Sequence, residues 1–153
     1  MRNAKIAAAF LGFATVALAA DPFVGTWKLD PARSKCTTGS VNKDLTVVIS
    51  ESGENLDSDA NGTTADGNAY ANHYTFPSKG GVGKIVSSAS PYDGVSARRP
   101  SANRRVTTFS KGGTVIYTVT TTVSADGKTL TAANKGTNAA GKGVDCTNVM
   151  AKQ

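Results

Sequence analysis

One short stretch of the sequence has the residue types of a calcium-binding loop. In the segment DSDANG, Asp57, Asp59 and Asn61 alternate with small residues, and Gly62 takes the sixth position. Carboxylate and amide oxygens at this spacing are ligands that Ca²⁺ prefers, and the glycine permits a sharp turn around the ion. The pattern raises a metal site as the first chemical possibility.

The continuation of that stretch argues against a metal. Ala65 stands at the ninth position, where it cannot hold a bridging water, and Asn68 stands at the twelfth, where a bidentate glutamate belongs. The dipeptides NG at 61–62 and DG at 66–67 are strong turn formers. We therefore interpret the stretch as the bend between two strands and predict no metal site.

The most concentrated charge lies in the segment ARRPSANRR. A guanidinium there could bind a carboxylate through two parallel hydrogen bonds. Neighbouring residues of a strand point to opposite faces, so at most one of Arg98 and Arg99, and one of Arg104 and Arg105, can enter an interior. The intervening PSAN is typical of a turn, which would place all four near a barrel mouth. A solvated basic hairpin, or one that meets an acidic partner surface, is the alternative interpretation.

Residues suited to catalysis are few. His73 is the only histidine, and in an alternating strand it falls on the face opposite Tyr70, Tyr74 and Phe76. The sequence has neither a G-x-S-x-G nucleophile motif nor a complete P-loop. We therefore expect a protein that is not an enzyme and that has no cofactor.

The segments that must position these residues have the features of strands. Val, Thr and Gly are frequent, and turn dipeptides recur at intervals of about 8–15 residues. Alternation of apolar and polar residues then assigns one side of each strand to the interior. The residues expected to point inward are Tyr70, Tyr74, Phe76, Val115, Tyr117 and Val119.

The N-terminal segment has the pattern of an export signal. Arg2 and Lys5 precede an uncharged apolar run, and Ala-Leu-Ala at 17–19 fits a cleavage site. We predict a signal peptide over residues 1–20, a single domain over residues 21–153, and a periplasmic or extracellular location. No membrane anchor is expected after cleavage.

Charge and cysteine content limit the partners. The chain carries a net charge of +6, yet its few aromatic residues are scattered, so a stacking platform for nucleic acid is not expected. Its two cysteines, Cys36 and Cys146, lie near opposite ends of the predicted domain. In an oxidising compartment they are expected to form a disulfide, which would bring the two terminal segments together.

The segment FVGTWKLDPARSK, which follows the predicted signal, resembles the first strand of lipocalins and related small barrels. Gly25 and Trp27 match the opening G-x-W motif, although no T-D-Y segment of the second motif is found. The resemblance implies that Trp27 closes the base of a barrel, covered by a basic residue that could be Arg105 or Lys152. Avidins also begin with G-x-W, but their biotin pocket uses several tryptophans, whereas Trp27 is alone.

These observations predict an all-β domain. We expect a single antiparallel up-and-down β-barrel of about 8–10 strands, lipocalin-like, with a β-sandwich as the alternative. The resemblance implies a monomeric, exported protein that binds a small hydrophobic or amphipathic ligand, and the arginines would allow that ligand to be anionic. An interaction or inhibitor module that uses the basic hairpin is the alternative function. The candidate ligand-binding residues are Arg98, Arg99, Arg104, Arg105, Tyr70, Tyr74 and Tyr117.

Overall fold

The computed structural model describes residues 20–138 and 141–153. This part of the chain forms twelve β-strands and contains no helix. Within it, no helix is present that is long and apolar enough to span a membrane. The predicted signal peptide lies outside the described residues except for Ala20. The strands are β1 (Gly25–Leu29), β2 (Lys35–Thr38), β3 (Asp44–Ser52), β4 (Asn55–Thr63), β5 (Ala69–Pro77), β6 (Gly80–Val82), β7 (Lys84–Ser88), β8 (Gly94–Ser101), β9 (Arg104–Lys111), β10 (Thr114–Val123), β11 (Thr129–Thr137) and β12 (Gly143–Lys152).

All strand pairs are antiparallel, and the strands form one sheet in the order β6-β8-β9-β10-β11-β12-β1-β3-β4-β5-β7, with β2 paired to β12. Because β1 pairs with both β12 and β3, the first strand joins the two halves of the chain. The predicted fold class, an antiparallel up-and-down barrel, is confirmed. The strand count exceeds the expected 8–10 because it includes the short strands β2 and β6, of four and three residues.

The barrel is nearly closed at the seam where β6, β7 and β8 meet. The chain passes there from β6, which pairs with β8, to β7, which pairs with β5. Between them, the backbone N–H of Gly83 donates to the carbonyl of Val95 at 2.9 Å. A Cβ atom at Gly83 would lie 2.6 Å from the carbonyl oxygen of Thr75. A residue without a side chain is therefore needed for the two edges to approach each other.

The expected bend at 61–62 is wrong. Asn61 and Gly62 lie inside β4, where Gly62 is opposite Leu45 on one side and Tyr70 on the other. A Cβ at Gly62 would lie 2.5 Å from the carbonyl oxygen of Asp44, so this glycine permits close strand approach rather than a turn. The hairpin turn comes later, where Gly67 N–H donates to the carbonyl of Thr64 at 2.9 Å.

The segment with the calcium-loop pattern has an extended backbone and not the curved backbone of a loop around an ion. Asp57, Asp59 and Asn61 follow one another along the outer face of β4, because alternate residues of a strand share a face. They do not curve around a common point. Among the described residues, no group of three or more His, Cys, Asp or Glu side chains is arranged to hold a metal ion.

Trp27 lies at one end of the barrel interior and is fully buried. Its indole Nε1–H donates to the carbonyl of Phe23 at 2.8 Å, so the segment that precedes β1 folds across this end. The ammonium of Lys152 lies 5.1 Å from the centre of the Trp27 ring. Of the two basic residues considered for this cover, Lys152 takes the place.

The disulfide joins Cys36 to Cys146 and so attaches β2 to the N-terminal half of β12. The pairing agrees with the sequence prediction. The segment that follows β2 then passes over the opposite end of the barrel from Trp27, where Gly39, Ser40 and Asn42 line an opening.

One inward assignment is wrong. Val115 is 57% exposed, and the register between β9 and β10 shifts between Val115 and Tyr117. This bulge inserts one extra residue into β10. The side chains that precede it therefore point to the opposite face from the one that simple alternation predicts. Tyr117 and Val119, beyond the bulge, point inward as expected.

Candidate ligand site

The barrel encloses a cavity of about 660 Å³. It opens between Ser40, Asp66 and the other loops at the end remote from Trp27, here called the mouth. A volume of this size is within the range of pockets for small organic molecules. The lumen is therefore partly hollow.

The opposite end, here called the base, is packed solid. The largest side chains with almost no exposure collect in this part of the interior, and of them Phe23, Trp27, Leu56 and Val123 do not reach the cavity. Phe76 and Met150 lie above them and line the cavity. A ligand can therefore reach the interior from the mouth and would stop at this packed layer.

Arg105 is the charged residue at the bottom of the cavity. It is only 5% exposed, and its guanidinium carbon lies 4.6 Å from the ring centre of Phe23 and 4.4 Å from that of Phe76. Its Nε and Nη1 atoms are buried and have no hydrogen-bond partner. The two rings satisfy the faces of the guanidinium but leave these in-plane N–H groups without acceptors.

Burial lowers the pKa of Arg105 to about 10. The negative charge of Asp21 opposes this lowering of the pKa, and the positive charge of Arg99 contributes to it. At neutral pH Arg105 is still a cation. The lumen thus holds a fixed positive charge that no described acidic side chain neutralises directly.

The other three arginines of the β8–β9 hairpin do not line the cavity. Arg99 forms an ion pair with Asp21 and donates to the carbonyls of Ser78 and Ala102. Arg98 and Arg104 are exposed. The rule that at most one of each adjacent pair points inward holds for Arg104 and Arg105.

The predicted place of the basic hairpin is wrong. The β8–β9 hairpin lies at the base, beside Phe23 and Asp21, and not at the mouth. The reason is the up-and-down connectivity, which puts this turn at the same end as the start of β1. The exposed arginines of the hairpin are therefore far from the route into the cavity.

Polar groups surround the middle of the cavity. Among the described residues, six polar or charged residues are classed as buried, and every one of them lines the cavity. They are Ser58, Asn72, Arg105, Thr107, Thr121 and Asn134. Buried polar groups normally satisfy one another or bind water or ligand. Their collection around one space indicates an interior built for polar contents.

Two of these residues, Asn134 and Asn72, are held in place by hydrogen bonds to their neighbours in the barrel wall. Asn134 Nδ2 donates to the carbonyl of Ala132 at 2.8 Å, while its Oδ1 accepts the hydroxyl of Tyr117 at 3.2 Å. Asn72 Oδ1 accepts from Ser88 Oγ at 2.8 Å. These bonds hold Tyr117 and Asn72 in fixed positions against the cavity.

Aromatic rings surround the half of the cavity nearer the mouth. Tyr92 packs on Phe109 with ring centres 5.0 Å apart and lies nearly parallel to Tyr117 at 5.9 Å. Tyr74 packs on Phe109 from the other side at 4.9 Å. Tyr70 lines the same space. All four tyrosines of the chain therefore face one cavity.

These tyrosines are held in the neutral form. Burial, with a contribution from neighbouring Tyr74, raises the pKa of Tyr92 to about 12. Burial also raises the pKa of Tyr70, Tyr74 and Tyr117. At neutral pH the upper cavity thus presents uncharged hydroxyls and ring surfaces, and Arg105 remains the charge below them.

The structure brings together four of the seven predicted ligand residues: Arg105, Tyr70, Tyr74 and Tyr117. Sequence reasoning missed Phe109, although alternation along β9 from Arg105 would have found it. It also missed Tyr92, which reaches the cavity from the loop between β7 and β8, where no strand periodicity could reveal it.

His73 lies outside the cavity on the outer face of β5. Its two ring nitrogens are each 3.6 Å from a carboxylate oxygen, one of Asp57 and one of Asp59. The outward direction agrees with the alternation of the strand. The single histidine is therefore separated from the lumen by the barrel wall.

No protein-family model matches the chain, and no curated protein is significantly similar to it. One similar solved structure is described as a redesigned β-barrel, mFAP1, bound to DFHBI. It is 16% identical, over 89% of this chain and 100% of that chain, with a TM-score of 0.42. A likeness of this degree does not carry a function.

Proposed function

We propose that the protein is a non-enzymatic carrier or receptor that binds a small acidic molecule in its lumen, with Arg105 as the residue that binds the acid. One observation carries this proposal: Arg105, a buried cation with two side-chain nitrogens that lack acceptors, lines a cavity of about 660 Å³. A buried charge without a partner destabilises the fold. A ligand carboxylate would supply the missing acceptors.

A purely structural role for Arg105 accounts for less. Its stacking between Phe23 and Phe76 needs only the faces of the guanidinium. A methionine would fill the same space without a desolvation cost. Donors without acceptors on a residue that lines an open cavity are the feature that a ligand explains and packing does not.

The described residues that line the cavity include no histidine, which supports a binding role. The only histidine, His73, lies on the outer surface, and the serine and threonine hydroxyls of the wall have no adjacent base of this kind. A nucleophile needs such a base within hydrogen-bond reach. We therefore propose binding without chemical conversion.

The proposal includes export. The Cys36–Cys146 disulfide supports it, because disulfides form and persist in oxidising compartments. The signal peptide expected over residues 1–20 is the sequence feature that would direct it there.

Native mass spectrometry can test the binding role. The protein is purified without denaturation from its own host, and Arg105→Met is compared with Arg104→Met, which removes an exposed arginine from the adjacent position. We expect an extra acidic small-molecule mass on the wild type and on Arg104→Met, and its loss from Arg105→Met.

A titration completes this test. Calorimetry with dodecanoate and with 6-hydroxy-2-naphthoate examines two different carboxylates on the same three proteins. Binding of either one that weakens only in Arg105→Met supports the proposal. A wild type that carries no extra mass and binds neither probe overturns it.

A further inference from the structure

Along β9, the residues that line the cavity change from charged to polar and then to aromatic. Arg105, Thr107 and Phe109 are all buried and point inward. Successive inward residues of a strand lie about 7 Å apart, so roughly 13 Å of strand separates Arg105 from Phe109. A ligand bound at Arg105 must therefore pass the level of Thr107 before it reaches the ring cluster of Phe109, Tyr92 and Tyr117.

The middle level is unsuited to an acyl chain. Three lining hydroxyls make no side-chain hydrogen bond within the described part of the chain: Thr107 at this level, Thr121 opposite Arg105, and Ser58 opposite Ile49 of β3. Methylene groups packed there would remove these hydroxyls from water without giving them partners. A ligand that carries its own oxygen atoms would satisfy them.

The opposite wall is mainly apolar. Leu45, Val47 and Ile49 of β3 and Met150 of β12 line the cavity there. A molecule between the two walls needs one apolar surface and one polar edge. A planar ring with oxygen substituents has both, because its faces are apolar and its substituents lie in its plane.

The upper level favours a planar molecule as well. The rings of Tyr92 and Tyr117 lie 25° from parallel, and that of Tyr92 lies 31° from the ring of Phe109. Their surfaces and edges offer stacking contacts that are worth more than area burial alone. Flexible chains do not gain from this geometry.

We infer that the ligand is a hydroxylated aromatic carboxylic acid of one or two rings, rather than a fatty acid. Its carboxylate binds Arg105, its ring lies between the apolar β3 wall and the polar groups of β9 and β10, and its hydroxyl reaches the level of Asn134 and Tyr117. This inference rests on the proposed function and narrows the class of acid.

Four probes separate the contributions. Calorimetry compares 6-hydroxy-2-naphthoate, 2-naphthoate without the hydroxyl, the neutral 6-hydroxy-2-naphthamide, and dodecanoate on the full chain. We expect 6-hydroxy-2-naphthoate to bind best. Loss of the carboxylate charge should weaken binding roughly 10–100-fold, which is the range for a charge-assisted hydrogen bond.

Two variants locate the ring. Tyr92→Leu removes one ring from a loop, where the barrel wall does not depend on it, and should weaken both naphthoates about 2–10-fold without changing dodecanoate. Thr107→Val removes an inward hydroxyl at the level of Asn134, since both residues pair with Val119, and should weaken 6-hydroxy-2-naphthoate while sparing dodecanoate. Val86→Ala, on the exposed outer surface of β7, is the matched control and should change neither.

The outcomes separate this inference from the proposed function. Dodecanoate that binds more tightly than every naphthoate, and that depends on Arg105, overturns the inference and leaves the binding role intact. Naphthoates that bind equally well to wild type, Tyr92→Leu and Thr107→Val also overturn it. Failure of all four probes to bind overturns the inference, and it overturns the proposed function as well when the purified protein carries no extra acidic mass.

Discussion

The base and the mouth half of the barrel are built from the same strands but fill their interiors differently. At the base, Phe23, Trp27 and Val123 pack with no measurable exposure. In the mouth half, alternate residues of the same strands leave about 660 Å³ empty. Arg105 lies at the boundary between the two. The comparison shows one sheet that is packed solid at one end and hollow at the other, and we propose that binding uses the hollow end.

The largest expected effect is on the base. Trp27→Ala should lower the free energy of unfolding by about 3–5 kcal/mol, because a closed layer cannot collapse around the lost ring. Tyr92→Ala, which removes a ring beside space that is already open, should lower it by roughly 1 kcal/mol. Urea unfolding of both variants measures the difference. Equal losses would contradict the division between base and mouth half.

The disulfide should contribute the next largest effect. Replacing both Cys36 and Cys146 by alanine should lower the free energy of unfolding by about 2–4 kcal/mol, since the closed loop spans most of the domain. Denaturant unfolding under oxidising conditions measures it. Wild type unfolded in the presence of a reductant is the control and should match the double variant. A loss below about 0.5 kcal/mol, the scatter of ordinary surface substitutions, would show that β2 does not depend on the link.

Arg105→Met should stabilise the empty protein by about 1 kcal/mol while it removes acid binding. The substitution replaces a buried cation that lacks hydrogen-bond acceptors with an apolar side chain of similar length. Thermal unfolding without ligand measures the change, and Arg104→Met should leave it within about 0.5 kcal/mol of wild type. A clear destabilisation by Arg105→Met alone would show that stacking on Phe23 and Phe76 outweighs desolvation.

The smallest effect is absent at neutral pH and appears only in alkali. Because the pKa of each tyrosine is raised, the folded protein keeps protons above pH 10 that the unfolded chain loses, so stability should fall as the pH rises from about 10 to 12. Arg105 acts in the opposite direction, because its pKa is lowered to about 10 and the unfolded chain keeps that proton longer.

Tyrosinate absorbance and unfolding curves over this pH range test the balance. The folded protein should ionise its tyrosines at higher pH than the protein in concentrated urea. The loss of stability should be steeper in Arg105→Met, where the opposing contribution is gone. If the tyrosines titrate at the same pH in the folded and the unfolded protein, their hydroxyls are exposed to water in the folded state, which would contradict the raised pKa values.

Local pattern was enough to predict the barrel and much of its interior. Alternation put Tyr70, Tyr74 and Tyr117 on inward faces because a strand repeats every two residues. It also limited each arginine pair to one inward member. It could not choose Arg105 over Arg104, because Val106 and Phe109 give competing apolar signals and only the pairing of Arg105 with Thr121 fixes the facing.

The remaining errors have a common physical origin. Gly62 looked like a turn residue, but its neighbours across the sheet, not its sequence neighbours, require the missing side chain. The bulge before Tyr117 and the inward position of Tyr92 likewise depend on contacts between distant segments. Such contacts leave no periodic trace in a single sequence.

The separation of the two ends gives the protein two built-in fluorophores with different tasks. Its single tryptophan is at the packed base and does not touch the cavity, whereas every tyrosine does. Indole emission should therefore follow unfolding of the barrel, and tyrosine emission should respond when the lumen is occupied. Energy transfer from the tyrosines to Trp27 should decrease when a bound ligand absorbs the tyrosine emission. Ligand occupancy and folding can therefore be followed in the same sample without a label.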